Sequence, residues 1–476
     1  MGALDFLVVP VVAFLLAFVY YGPASQGDTL KRGAVVHDGQ EARKDTQRLK
    51  KKHGPDILTL AQTQSKGQCQ GQEAALARQR GVDMGVLVVG GGIGGLTAAL
   101  ALRRAGFDAR IYEQTSVLRE VGAGVAISPN AVKVLHRLGL ADALRSIAVV
   151  PQSLDTRDWQ SGALLGRVPL AEAAESRWGA PFYHLHRADL HNVLRAAVGD
   201  SNITLGAHAV AIEPSEAEVT VRFADGTSAI GDVLIGADGI HSVVREHVAG
   251  ADRAVWSRQV SWRGLAPAEV GRNMGVEMRH HSFWGPRKQF VCFYVAGGRL
   301  VNWAGNTQSD EEWLEESWSA RGDRDEVVGL FEDWHPEVRA LIAGTQQVYK
   351  WALFDRPPLE VWTRGRVTVL GDAAHPMLPY MAQGASQSIE DASVLARAFA
   401  ESPADPVSAI NSYAEKRRGR TASIQNASRE AGRTMQLTDS VEVEARNARL
   451  RANPEAPVAR FDWIWSYDEA SATPGS

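Results

Sequence analysis

Runs of apolar and polar positions divide the chain into three unlike stretches. In the first, FLVVPVVAFLLAFVYY (Phe6–Tyr21) is sixteen residues without a charge, and the residues after it show no sustained apolar period and turn Gln-rich. Such composition reads as a linker. From Met84 onward the pattern changes. VLVV reads as a buried parallel strand, Thr97–Arg104 as a helix and ARIYE as a second strand. DVLIG (232–236) is another buried strand, running into Asp238-Gly239 and then a helix with Ser242 and Arg245. VTVL (367–370) is a further one, followed by a loop of small residues and a helix beginning at QGAS. The stretch from Ile203 to Gly236 alternates, with an Asp-Gly turn at 225–226, and predicts a β-meander that returns to the first sheet. Residues 256–305 hold several short aromatic-rich strands, which predict a second sheet. DEEWLEESWSA and RDEVVGLFEDW read as amphipathic helices over it, with Trp303, Trp313, Trp318 and Trp334 as packing residues. A charged helical stretch follows, and the aromatics of RFDWIWSYDEASATPGS predict a tail docked on the body.

Composition narrows the partners. The chain has 476 residues, 45% apolar and 22% charged, as in ordinary globular proteins. A formal charge of −4 argues against nucleic acid. Two cysteines, Cys69 and Cys292, cannot build a disulfide framework or a zinc site. As a helix, Phe6–Tyr21 would reach roughly 24 Å, against a hydrocarbon core of about 30 Å. Basic residues follow it (Lys31, Arg32, Arg43, Lys44, Arg48), so a span there would leave the body in the cytoplasm. Membrane contact is expected only through 6–21. Met84 directly precedes the first core strand, so residues 1–83 read as an extension outside the folded unit or as a misplaced start.

Candidate chemistry begins with Gly90, Gly92 and Gly95, a G-x-G-x-x-G between strand and helix. Gly90 permits the tight turn, Gly92 lets backbone approach a pyrophosphate, and Gly95 lets helix and strand pack closely. Glu113 ends the second strand, where it can bond a ribose and would repel a 2′-phosphate. The tenant is therefore FAD or NAD. Asp238 ends its strand before a sharp turn. Asp372 ends another and suits the ribityl hydroxyls of a flavin. Gly384 and Ala385 open a helix whose free N–H groups favour negative charge on a ring lying against the backbone. The chain carries no second convincing G-x-G-x-x-G, so one dinucleotide is held tightly and a nicotinamide donor would bind transiently.

G-x-G-x-x-G, then ADGIHSVVR, then GDAAHP, in this order and spacing, resembles the single-component FAD-dependent aromatic hydroxylases over about Met84 to Arg420. REVGAGVAISPNAVKVLHRLGL, LHRADLHNVL and KWALFDRPPL resemble the branch with salicylate hydroxylase and 6-hydroxynicotinate 3-monooxygenase. The resemblance implies an α/β fold, a Rossmann-like FAD-binding domain interleaved with a mixed-sheet substrate domain. The flavin part would be mainly 84–150, 185–250 and 365–400, and the substrate part mainly 151–184 and 251–364, within a body of 84–430 and before a tail of 431–476. It implies non-covalent FAD, NAD(P)H as transient co-substrate, O₂, and a small aromatic substrate hydroxylated through a C4a-hydroperoxyflavin. It also implies flavin contacts at Arg187, Ala209 and Arg119. Some relatives carry a His and a Tyr four residues apart, at positions that fall on Gln289 and Phe293 here; neither is a base, and Tyr294 should point to the opposite face. A polar pocket residue of some relatives is Ala126 here. Tyr380 is then the polar group expected above the flavin, its pKa lowered by the nearby helix start, while His375 braces its loop. Two competing readings are a membrane-tethered enzyme acting on a lipophilic, quinone-type substrate and a flavin reductase without oxygen insertion.

Overall fold

The computed structural model describes residues 84–117, 123–311, 313, 320–453 and 456–471. The apolar segment at 6–21, the linker after it, Arg119, Trp318 and most of DEEWLEESWSA lie outside the described residues.

Two sheets carry the architecture. The first has six strands in the order 363–364, 367–369, 233–236, 85–89, 108–113 and 203–205. All neighbours are parallel except the first pair. The strand Gly85–Val89 lies at its centre, and Val86, Leu87, Val88 and Val89 are all buried. That explains why its sequence is continuously apolar rather than alternating. The helix Ile93–Arg104 follows it and packs against the helix Gly384–Glu401, so the first and last of the three sequence motifs share one core. The meander forms a separate three-stranded antiparallel sheet of 209–214, 219–223 and 228–231 before the chain re-enters the first sheet at Val233.

The second sheet is mixed, with seven strands in the order 348–355, 255–267, 300–308, 288–295, 280–285, 153–158 and 164–169. Its one parallel pair joins His280–Gly285 to Ser153–Asp158. Along Lys288–Val295 the alternation is strict. Gln289, Val291 and Phe293 face a cavity, whereas Phe290, Cys292 and Tyr294 enter a core with Trp303, Phe331 and Trp334. The Tyr294 hydroxyl donates to the Val276 carbonyl at 2.9 Å on that far side. The molecule is thus a Rossmann-like domain interleaved with a mixed-sheet domain.

The tail docks on this body. Asp462 of the helix Ala456–Trp465 takes both Arg177 nitrogens at 2.8 and 2.6 Å and the Trp178 indole N–H at 2.8 Å. Among the described residues no helix is long and apolar enough to cross a membrane.

Candidate active site

The strand Gly85–Val89 delivers the chain to Gly90 at φ +106°, where a Cβ would lie 2.3 Å from the Ala237 carbonyl oxygen. A Cβ on Gly95 would sit 1.9 Å from the Gly90 oxygen. Gly90 and Gly95 are thus fixed by close packing, the first also by a left-handed turn. At Gly92, the residue before the helix, a Cβ would meet nothing within 4 Å, because that side opens into a cavity. The N–H of Gly91 donates to Glu113 Oε2 at 2.6 Å, and His191 Nε2 bonds the Gly91 carbonyl at 2.8 Å. Thr115 N–H donates to the other Glu113 oxygen at 2.9 Å. The glycine loop is therefore gripped from both sides. A cavity of about 490 Å³ lies over it, lined by Gly90, Gly92, Glu113, Arg187, Ala209 and Asp238 among others. Gly95 packs beneath it.

Asp238 accepts from Ser242 Oγ at 2.5 Å and from Val244 N–H at 3.3 Å. Burial raises its pKa against these bonds. Its carboxyl thus secures the start of the helix Val243–Ala249 at the rim of this cavity. Arg245, from the same helix, donates to the carbonyls of Ala373 and Ala374 at 3.0 and 3.1 Å and pairs with Asp252 at 2.9 Å. It fastens the second motif to the third.

That third motif leaves its strand through Gly371 at φ +64°. Asp391 holds the loop from below. It accepts from Gly371 N–H at 3.0 Å, meets His375 Nε2 at 2.6 Å and takes Arg417 Nε at 2.6 Å. Burial works against its charge, but His375 and Arg417 hold its pKa at about 2. Asp372 points the other way. It lines a cavity of about 530 Å³ together with Gly92, Arg187, Gly384 and Ala385. Among the described residues no donor reaches its carboxylate, which is exposed to the open cavity; desolvation by the cavity walls raises its pKa, with His375 and Arg187 opposing and Asp391 adding. The helix Gly384–Glu401 starts at the same wall without a side-chain cap. The two cavities share Gly92, Arg187, Ala237 and Gly239. A long ligand with a polyol middle and a negative centre fits them: an unpartnered carboxyl, uncapped helix starts at Gly92 and Gly384, and open space where a side chain would intrude.

The far wall of the larger cavity comes from the second sheet, the loop after Asp372 and the tail. Ala126, Gln289 and Phe293 lie on it. Gln289 donates to Ser282 Oγ at 3.2 Å and accepts from Asn306 at 2.9 Å. Tyr380 lines it too, with its ring against Gly432. Its hydroxyl donates to Gln259 Oε1 and accepts from Gln436 Nε2 at 2.9 Å. Burial raises its pKa, only partly offset by those amides. The expected lowering by the helix start is therefore reversed, because the phenol is sunk between neutral partners.

Sequence reasoning missed three groups here. His280 lines the cavity, its Nδ1 lies 3.1 Å from His184 Nε2, and both rings stack on Phe293. Burial, then His281, lowers the His280 pKa to about 3, so it is neutral. Arg263 lies 3.7 Å over Trp351, its pKa lowered to about 9 by burial and by Arg187. Arg460, from the tail, lines the cavity with Phe461 and Trp465. The two-residue spacing of His280, Ser282 and Trp284 was the available signal for the histidine.

Comparison with known proteins gives the class. The family model described as "FAD binding domain" matches residues 83–428. A 3-amino-4-hydroxybenzoate 2-monooxygenase of Streptomyces platensis is 41% identical over 389 residues, covering 81% of this chain and 96% of that protein. A 6-hydroxynicotinate 3-monooxygenase of Bordetella bronchiseptica is 34% identical over 385 residues, covering 80% of this chain and 95% of that protein. Klebsiella pneumoniae HpxO, crystallised with FAD and uric acid, superposes with a TM-score of 0.72 at 29% identity, covering 80% of this chain and 97% of that one. A salicylate hydroxylase substrate complex gives 0.69 at 28% identity, covering 81% and 96%. The chain belongs to this FAD-binding family of aromatic monooxygenases. It is an FAD-dependent monooxygenase with reduced nicotinamide as co-substrate.

Proposed function

We propose that the chain hydroxylates a small phenolic aromatic, with the flavin ring and substrate sharing the larger cavity. The observation that carries this reading is a single chamber with the unpartnered Asp372 and an uncapped helix start at one end and an aromatic-rich wall at the other. FAD bound there supplies two-electron reduction by NAD(P)H and activation of O₂ for transfer of one oxygen atom.

The chain's own residues do the rest. Asp372 accepts hydrogen bonds from ribityl hydroxyls, and Arg187 reaches the cofactor where the two cavities meet. Glu113, braced by two backbone N–H groups, presents its remaining lone pairs to the ribose, and backbone at Ala209 borders the adenine. Asp238 acts through the helix start it holds. The free N–H groups at Gly384 and Ala385 stabilise negative charge on the ring. Trp284, Phe293, Trp351, Leu378 and Phe461 keep water from the reacting atoms. Tyr380 stays a neutral phenol, so it donates or relays a proton and does not abstract one at neutral pH. His280 stays neutral as well. With the shared proton on its Nδ1, its Nε2 accepts a hydrogen bond from a phenolic hydroxyl and orients it, without taking its proton. We assign the flavin part to 84–150, 185–250 and 365–400 and the substrate part to 151–184 and 251–364, with the tail adding to the substrate wall. The need for reduced nicotinamide supports a cytoplasmic setting.

The test is a screen of 3-amino-4-hydroxybenzoate, 3-hydroxybenzoate and 6-hydroxynicotinate for stimulated NAD(P)H oxidation, with product analysis. The expected result is a hydroxylated product from a phenolic compound. Stimulated oxidation that yields H₂O₂ alone supports the reductase reading instead.

A further inference from the structure

Among the described residues, Arg187, Arg263 and Arg460 line the larger cavity together with the carboxylate of Asp372. Arg187 and Asp372 belong to the flavin end, and Arg263 lies on Trp351 within the electrostatic reach of Arg187. Arg460 has a different origin. It comes from the helix Ala456–Trp465, which sequence alone marked only as a docked tail. Its guanidinium is enclosed by apolar groups: Cζ lies 5.8 Å from the Trp284 ring centre and 5.4 Å from that of Phe461, and Nη2 lies 3.2 Å from the Met381 sulfur. Among the described residues no carboxylate pairs with it. Burial lowers its pKa only to about 10, so it stays charged at neutral pH.

A cation held in such surroundings costs free energy unless an anion joins it. The helix is also fixed in place from outside. Arg420 donates to the carbonyls of Trp463 and Ile464 at 3.2 and 2.9 Å, and Asp462 is clamped by Arg177 and Trp178. Arg460 is therefore presented to the cavity by a rigid element. The planar fork of an arginine matches a carboxylate with two parallel hydrogen bonds. Trp284 and Phe461 offer flat apolar surface to the ring that carries it.

We propose that Arg460 is the receptor for a carboxylate on the aromatic substrate, which makes this enzyme selective for aromatic acids. This rests on the reading of the cavity as a hydroxylase site. The test titrates the FAD-loaded protein with 3-amino-4-hydroxybenzoate and with its carboxamide, following the flavin absorbance. Wild type should bind the acid more tightly than the amide. Arg460→Gln should weaken acid binding about 10- to 100-fold and leave the amide unchanged. If that variant loses flavin, Arg460→Lys carries the test: it keeps the charge without the fork, so acid binding should fall part of the way with the amide again unchanged. A wild type that does not favour the acid, or variants that lose acid and amide equally, overturns the assignment. A wild type that favours the acid but forms no oxygenated product retires the hydroxylase reading and leaves Arg460 as an acid receptor.

Discussion

Asp372 and Glu113 are both acids at the ends of parallel strands, yet their surroundings give them different duties. Glu113 has each oxygen occupied by a backbone N–H and shapes the glycine loop as much as it meets a ligand. Asp372 has no donor among the described residues and waits for one. We therefore expect Asp372→Ala to weaken FAD binding by about 1.5–3 kcal/mol, as for loss of a hydrogen bond to a charged group, with Arg187→Ala in the same range. Unchanged FAD affinity by fluorescence titration in both would remove these residues from the cofactor site. Tyr380→Phe should keep the flavin and substrate-stimulated reduction but lower the product formed per NAD(P)H. An unchanged ratio would make Tyr380 a packing residue only. Strand-end acids were legible in the sequence because strand, turn and helix are local patterns. His280 and Arg460 were not. The first joins the cavity through a parallel pairing with residues more than a hundred positions earlier, His280 opposite Leu154, and the second through a helix at the end of the chain.

At the scale of elements, one buried cluster ties the helices Gly384–Glu401 and Pro406–Met435 together. Arg417 pairs with Glu390 at 2.7 Å and with Asp391 at 2.6 Å, all three without solvent exposure. Arg420 adds a second pair to Glu390 at 2.8 Å. Because Asp391 also carries His375 and Gly371, the cluster sets the height of the loop that presents Asp372. Replacing Arg417 by leucine leaves two buried carboxylates short of a partner, and we expect a loss of about 3–5 kcal/mol in urea denaturation at pH 7. The pH dependence follows in sign. The folded-state pKa of Asp391 is held at about 2, below the unfolded value near 3.9. Its stabilisation is present above the unfolded value and is lost as pH falls toward 2. Arg417→Leu should flatten that acid-side slope, and an unchanged slope would place the acid sensitivity elsewhere. The sequence marked His375 as a brace, but the arginine that completes the brace lies on the next helix, where its periodicity reads as ordinary helix surface.

For the whole molecule, two sheets that are each complete as packing units meet at a chamber neither could form alone. The Rossmann-like sheet supplies the helix starts and the strand-end acid. The mixed sheet supplies alternate side chains such as Gln289, Val291 and Phe293. The tail closes the wall. The division into a nucleotide-binding part and an aromatic-rich sheet was legible because buried parallel strands read differently from alternating ones. The tail's share in the chamber was not, since an aromatic run at the end of a chain predicts docking without naming the surface. Oxygen transfer to an aromatic ring is measured most directly with isotopically labelled O₂. The purified FAD-loaded protein is given NAD(P)H and 3-amino-4-hydroxybenzoate under labelled O₂, and the aromatic product is weighed by mass spectrometry. The expected product has a ring hydroxyl carrying one labelled oxygen atom, formed in step with NAD(P)H consumed. NAD(P)H consumption matched by labelled H₂O₂, with the aromatic unchanged across the phenolic acids tested, would contradict oxygen transfer to the ring.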